Sequence, residues 1–176
     1  MNQIVTQWQQ NGNLTIESNT GLLSNINKNS SASIPSDERQ TFRITVKLFL
    51  FDDVVPECPS LLNGVDIVLK QLNIETIDSL IISLPNRPKK LTLDEIKPFW
   101  KCAQRVVQKG KASQLGVSDL DTNQLKELFE WAQDLKPMTN HLNLDVCCVI
   151  PQEMSDFAKQ NNIQLLTHND PKGITY

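Results

Sequence analysis

Lys109-Gly110-Lys111-Ala112-Ser113-Gln114-Leu115-Gly116-Val117-Ser118 is the stretch on which the reading of the fold turns. It begins as the end of a helix. A cation near the negative pole of the helix dipole, followed by a glycine free to take a positive φ, is a C-terminal stop. Ser113 to Val117 then reads as a short strand. Asp121, with Gln124 three residues on, resembles the start of the next helix.

The same grammar repeats on both sides. Upstream, Thr92 and Glu95 make a capping-box pattern. The helix they open carries Ile96, Phe99, Trp100, Ala103, Val106 and Val107 on one stripe. Before it, Pro85-Asn86-Arg87-Pro88 breaks the chain, and Ile77 to Leu84 is a strand. Ser60 to Leu72 is helical, with Leu61, Leu62, Val65, Val68, Leu69 and Leu72 at helical spacing. From Phe42 to Phe51 apolar residues occupy both alternating faces, which predicts a strand buried on both sides. Downstream, Leu125, Leu128, Phe129 and Ala132 line a helix closed by Pro137. Leu142 to Val146 is a strand, Pro151 opens a helix, and Ile163 to Leu166 is the last strand. Strand and helix alternate throughout, which implies right-handed βαβ units and a parallel sheet. Periodicity leaves two architectures open, a doubly wound sheet and part of a barrel.

Residues 1–37 differ in texture. Asn25-Ile26-Asn27-Lys28-Asn29-Ser30-Ser31 cannot bury enough apolar surface to offset its ordering entropy. The reading is a flexible N-terminal segment over 1–37, with a short helix near Ile4 to Gln10, and an α/β domain over 38–176.

Composition excludes several functions. A net charge of −3 across 176 residues leaves no electrostatic footprint for nucleic acid. No apolar run approaches the roughly 20 residues that span a bilayer, and Met1 to Gln10 lacks the pattern of a signal peptide. The cytoplasm is the default compartment. No GxGxxG or GxxxxGK[ST] loop is present to cradle phosphates. The four cysteines, at 58, 102, 147 and 148, form no CxxC pair, and two histidines add little. Neither a zinc site nor a disulfide scaffold is expected.

A few residues carry candidate chemistry. Lys47 lies inside the first strand; a cation pointing into a barrel is one reading, and a lysine snorkelling to water is preferred. His141 and His168 fall at predicted strand positions in the second half, and Asp170, two residues from His168, would lie on the same side in a strand; a catalytic histidine would need such a carboxylate to orient it, and structural histidines are preferred. Ser118-Asp119 could present a helix N-terminus to a phosphate, but a carboxylate there repels anions, so a capping role is preferred. Cys147-Cys148 ends a strand as two small fillers or as thiols at an interface with another chain.

Two stretches resemble the aldo-keto reductase superfamily. They are Val68 to Leu80, with Asp78 opening its strand, and Lys109 to Ser118, which is similar to that superfamily's "GkiraiGvSnf". In this order they favour its (β/α)8 TIM barrel. Within the superfamily the chain looks like the family of glutamate–cysteine ligase regulatory (modifier) subunits. The likeness rests on Gly116-Val117-Ser118-Asp119-Leu120-Asp121, Trp131-Ala132-Gln133, Cys147-Cys148-Val149, Phe157-Ala158-Lys159-Gln160 and, above all, Ile163 to Lys172. It spans about 37 to 172.

The resemblance implies a non-catalytic subunit that forms a heterodimer with the ligase catalytic subunit, raising substrate affinity and relieving feedback inhibition by glutathione. It implies no cofactor, no metal and no catalytic residue. Lys47 matches the reductases' lysine, and Lys47 and Asp78 are then relics of a reductase site. Ser83 stands where the reductases have histidine, His141 where they have a cofactor-binding glutamine, and the one tyrosine is Tyr176. The rival reading is a NADPH-dependent aldo-keto reductase. The resemblance also makes the last strand the sixth of eight, so an incomplete barrel is expected.

Overall fold

The periodic stretches fold into nine alternating elements. They are β3 (Thr45–Phe49), α1 (Cys58–Leu72), β4 (Ile77–Ser83), α2 (Leu93–Gln108), β5 (Ala112–Ser118), α3 (Thr122–Trp131), β6 (Thr139–Asn143), α4 (Gln152–Gln160) and β7 (Gln164–His168). The computed structural model describes residues 14–16, 23–25, 33–50, 58–85, 89–143 and 149–170. Contacts divide the chain into two units, Met1–Ser33 and Ile34–Tyr176. In the first, β1 (Leu14–Ile16) pairs antiparallel with β2 (Leu23–Asn25), two strands that the polar sequence did not announce. The helix expected near Ile4 to Gln10 lies outside the described residues.

Sheet order decides between the two open architectures. The strands lie in the order β3-β4-β5-β6-β7, and every neighbouring pair is parallel. A doubly wound sheet reverses its strand order at a switch point; these five strands do not. With right-handed crossovers, each new strand on the same side keeps every helix on one face, and the sheet curls. The described residues therefore form a five-stranded parallel arc, as the expected (β/α)8 barrel requires.

The core lies between sheet and helices. Leu80, Ile82, Leu115, Val117 and Leu142 from the strands meet Leu61, Val65, Ile96, Phe99, Trp100, Val106, Leu125, Leu128 and Met154 from the helices. Each such side chain contributes about 1.5–3 kcal/mol on burial. Trp100 is fully buried, and its indole N–H donates to the Leu135 carbonyl at 2.9 Å.

Helix ends follow their local chemistry. Glu95 accepts from the Thr92 N–H and hydroxyl, each at 2.8 Å. Asp121 and Gln124 cap one another, at 2.9 and 3.1 Å. Gly110, at φ 70°, ends α2; its N–H donates to Val107, and the Lys111 N–H donates to Val106. That pair of bonds is a Schellman motif.

Five expectations need correction. β3 is an edge strand and is partly exposed, not buried on both faces. β6 runs Thr139–Asn143 rather than 142–146, and α3 ends at Trp131, before Pro137. Cys58 and Cys102 form a disulfide, because α1 and α2 bring their Cα atoms to 4.9 Å, a proximity that linear spacing does not reveal. Ser118-Asp119 is not a helix cap: that role belongs to Asp121.

Candidate functional site

Strand register builds a second face, turned away from the helices. Alternation sends Val46, Leu48, Leu80, Ile82, Leu115, Val117, Leu142 and Leu165 into the helix-side core, so their neighbours face the concave side. One row runs Lys47, Ile81, Gly116, Thr139, Gln164; the next runs Phe49, Ser83, Ser118, His141, Leu166; Asn143 pairs with His168 beyond it. Gly116 is required where it stands. A Cβ there would meet Thr139 Cβ at 2.9 Å and Ile81 Cγ1 at 3.2 Å.

At the carboxyl ends of the strands this face gathers charge. Lys47 does not snorkel to water: its side chain is 13% exposed, and Nζ donates to Asp170 Oδ2 at 2.6 Å. The bond joins one edge strand of the arc to the residues just past the other. His168, 6% exposed in its side chain, sits between two carboxylates. Its Nε2 is 3.2 Å from both Asp119 oxygens, and its Nδ1 is 3.0 Å from Asp170 Oδ2. The Asp170 N–H lies 3.1 Å from Nδ1, and Lys47 Nζ lies 3.3 Å from Nε2.

Asp119 reaches this position because it turns the chain at φ 62°, a left-handed conformation that Asp tolerates. Its Oδ1 accepts from the Asn143 N–H at 2.8 Å, and the Asn143 amide donates to the Asp170 carbonyl at 2.9 Å. The His141 ring lies 4.5 Å from that of His168. Its Nε2 donates to the Thr167 carbonyl at 3.0 Å, leaving a buried Nδ1. Burial, reinforced by the charges of Lys47 and His168, holds His141 below the usual histidine value.

Ser118, His168 and Asp170 have the separations of a nucleophile, base and orienting acid, at 3.3 and 3.0 Å. The arrangement does not act as one. The Ser118 hydroxyl lies closer to the Asp119 carboxylate, at 2.8 Å, and to the His141 carbonyl, at 3.0 Å. Nε2 is also shared, lying 3.2 Å from both Asp119 oxygens and 3.3 Å from Lys47 Nζ, so it is not held for the serine. The cluster is an interlock of paired charges.

Asp78 belongs elsewhere. Opening β4, it accepts from the Ile44 N–H at 2.8 Å and from Arg39 at 3.0 Å. The Ile44 N–H, with Arg39 behind it, holds its carboxyl below the ordinary aspartate value. This is the amino end of the strands, away from Lys47. The two residues named as relics of one site are not brought together. Cys147, Cys148 and Tyr176 lie outside the described residues. Sequence reading passed over Asp119 as a cap, and no spacing signal linked it to His168. Among the described residues no group of three or more His, Cys, Asp or Glu could hold a metal ion.

This fold and this face define a class, and the chain belongs to the aldo/keto reductase family, whose model matches residues 23–169. Its relatives narrow the comparison. It is 42% identical over 143 residues to the glutamate–cysteine ligase regulatory subunit of Bos taurus and 40% identical to that of Homo sapiens, covering 80% of this chain and 51% of each relative. The chain thus spans about half the length of these curated relatives. Among solved structures, an aldo-keto reductase from a deep-sea metagenome library superposes with a TM-score of 0.57 at 25% identity, over 76% of this chain and 44% of that one.

Proposed function

We propose that the chain is a non-catalytic regulatory subunit of glutamate–cysteine ligase. It binds the cytoplasmic catalytic subunit, raises its affinity for substrate and relieves feedback inhibition by glutathione. The observation that carries this reading is the 40–42% identity to regulatory subunits, spread over four-fifths of the chain. The mouth of the arc supports it. A reductase needs free donors and a proton source at the carboxyl ends of its strands. Here Lys47 is held by Asp170, and Ser118 lies against Asp119 and the His141 carbonyl. The carboxylates of Asp119 and Asp170 line the same mouth and would repel an anionic dinucleotide. In this reading the mouth takes no NADPH.

In this reading Cys147 and Cys148 contact the catalytic subunit. Co-purification with that subunit, followed by the glutamate KM with and without glutathione, tests the proposal. A stable complex with a lowered KM is expected. No complex, or carbonyl turnover with NADPH, would sink it.

A further inference from the structure

The two ends of the Cys58–Cys102 disulfide differ. Cys102 lies in the middle of α2, 3% exposed within the apolar core. Cys58 is the first residue of the fifteen-residue helix α1 and is partly exposed. The orphan N–H groups of a first helical turn stabilise negative charge on a sulfur placed there. The bond is not what brings α1 and α2 together. Leu61, Val65 and Leu69 of α1 share one buried cluster with Ile96, Phe99, Trp100 and Val106 of α2. A bond between a core cysteine and a partly exposed cysteine at a helix start, across helices that already share a core, has the asymmetry of an exchanging couple.

We propose that Cys58 is a thiol-exchange site for small cysteine-based thiols, with Cys102 as its resolving partner. In the reductive direction a thiolate RS⁻ attacks Cys58 Sγ. The new bond is Cys58–S–S–R; the bond to Cys102 breaks, and Cys102 leaves as a thiolate that takes a proton from water. A second RS⁻ attacks the small thiol's sulfur in that mixed disulfide, releasing Cys58 and RSSR. The sum is protein disulfide plus two RSH giving protein dithiol plus RSSR. With excess RSSR the sequence runs backwards, and Cys102 expels the small thiol from Cys58. The inference does not rest on the regulatory-subunit reading, because it is measured on this chain alone.

The test equilibrates the full chain with mixtures of reduced and oxidised glutathione, quenches with acid, alkylates and maps each cysteine by mass spectrometry. The Cys58–Cys102 peptide pair should pass from fully linked to fully alkylated across the series. Mixed disulfide trapped in the wild-type chain should sit on Cys58, and Cys102→Ala should accumulate it about tenfold, since its resolving thiol is gone. Circular dichroism of Cys102→Ala establishes that it is folded, and the wild-type quench gives the same answer if it is not. A bond that persists in excess reduced glutathione would make it a permanent staple and overturn the proposal. So would an adduct on Cys102 instead of Cys58, or two free thiols in excess oxidised glutathione.

Discussion

Lys47 has exchanged solvent for a carboxylate. Replacing it with Met leaves Asp170 and His168 without their cation, and the pair is only partly exposed. Lys47→Met should cost about 1–2 kcal/mol in urea unfolding, between the values for surface and buried pairs. Ligase activation should survive, because an interlock contributes to stability and the proposed partner contact lies elsewhere; loss of activation in a folded variant would refute that. Asp78 gives a pH-dependent case. Its carboxyl titrates lower folded than unfolded, so its contribution is present above the unfolded aspartate value and is lost as pH falls through the folded one. Asp78→Asn keeps an acceptor for Ile44 but loses the charge facing Arg39. It should be less stable than wild type by about 1 kcal/mol at neutral pH, and the gap should close on acidification. A gap independent of pH would assign the loss to packing.

The elements that announced themselves in the sequence carry their signals locally. Gly110 ends α2 because its φ of 70° suits glycine, and Thr92 and Glu95 start the same helix with bonds three residues apart. β6 was misplaced because its evident polarity is satisfied at a distance. Thr139 and Asn140 look like loop residues, yet both are buried, and the Asn140 amide donates to the Leu120 carbonyl. The candidate site was half legible for the same reason. His168 and Asp170 are close in sequence, whereas Lys47 and Asp119 join them only through the curl of the sheet. Gly116 tests that curl. Gly116→Ala forces a methyl against Thr139, whose Cβ cannot swing aside, so the urea midpoint should fall by the equivalent of about 1–3 kcal/mol. An unchanged midpoint would mean that β5 and β6 approach less closely than described.

At the scale of the whole molecule, no helix among the described residues of the Ile34–Tyr176 unit covers the concave face, and its mouth is lined by paired charges. The proposed complex leaves that interlock in place and uses Cys147 and Cys148. Cys147→Ser with Cys148→Ser should therefore weaken association several-fold in a binding titration while leaving thermal unfolding of the isolated chain unchanged. Equal affinity in oxidising and reducing buffer would remove these cysteines from the interface.

Strand order along the sheet equals strand order along the chain. Each βα unit can therefore dock on the one made just before it, so the arc can assemble from its amino end as the chain emerges, without waiting for distant residues. The bond from Lys47 to Asp170 breaks that rule: it spans 123 positions and cannot close until β7 is in place. It belongs to the final event of folding and is absent from the barrier that precedes it. Lys47→Met should accordingly speed unfolding while leaving the refolding rate nearly unchanged. Slowed refolding in stopped-flow measurements would instead place edge-to-edge closure early, making the rim of the arc its nucleus.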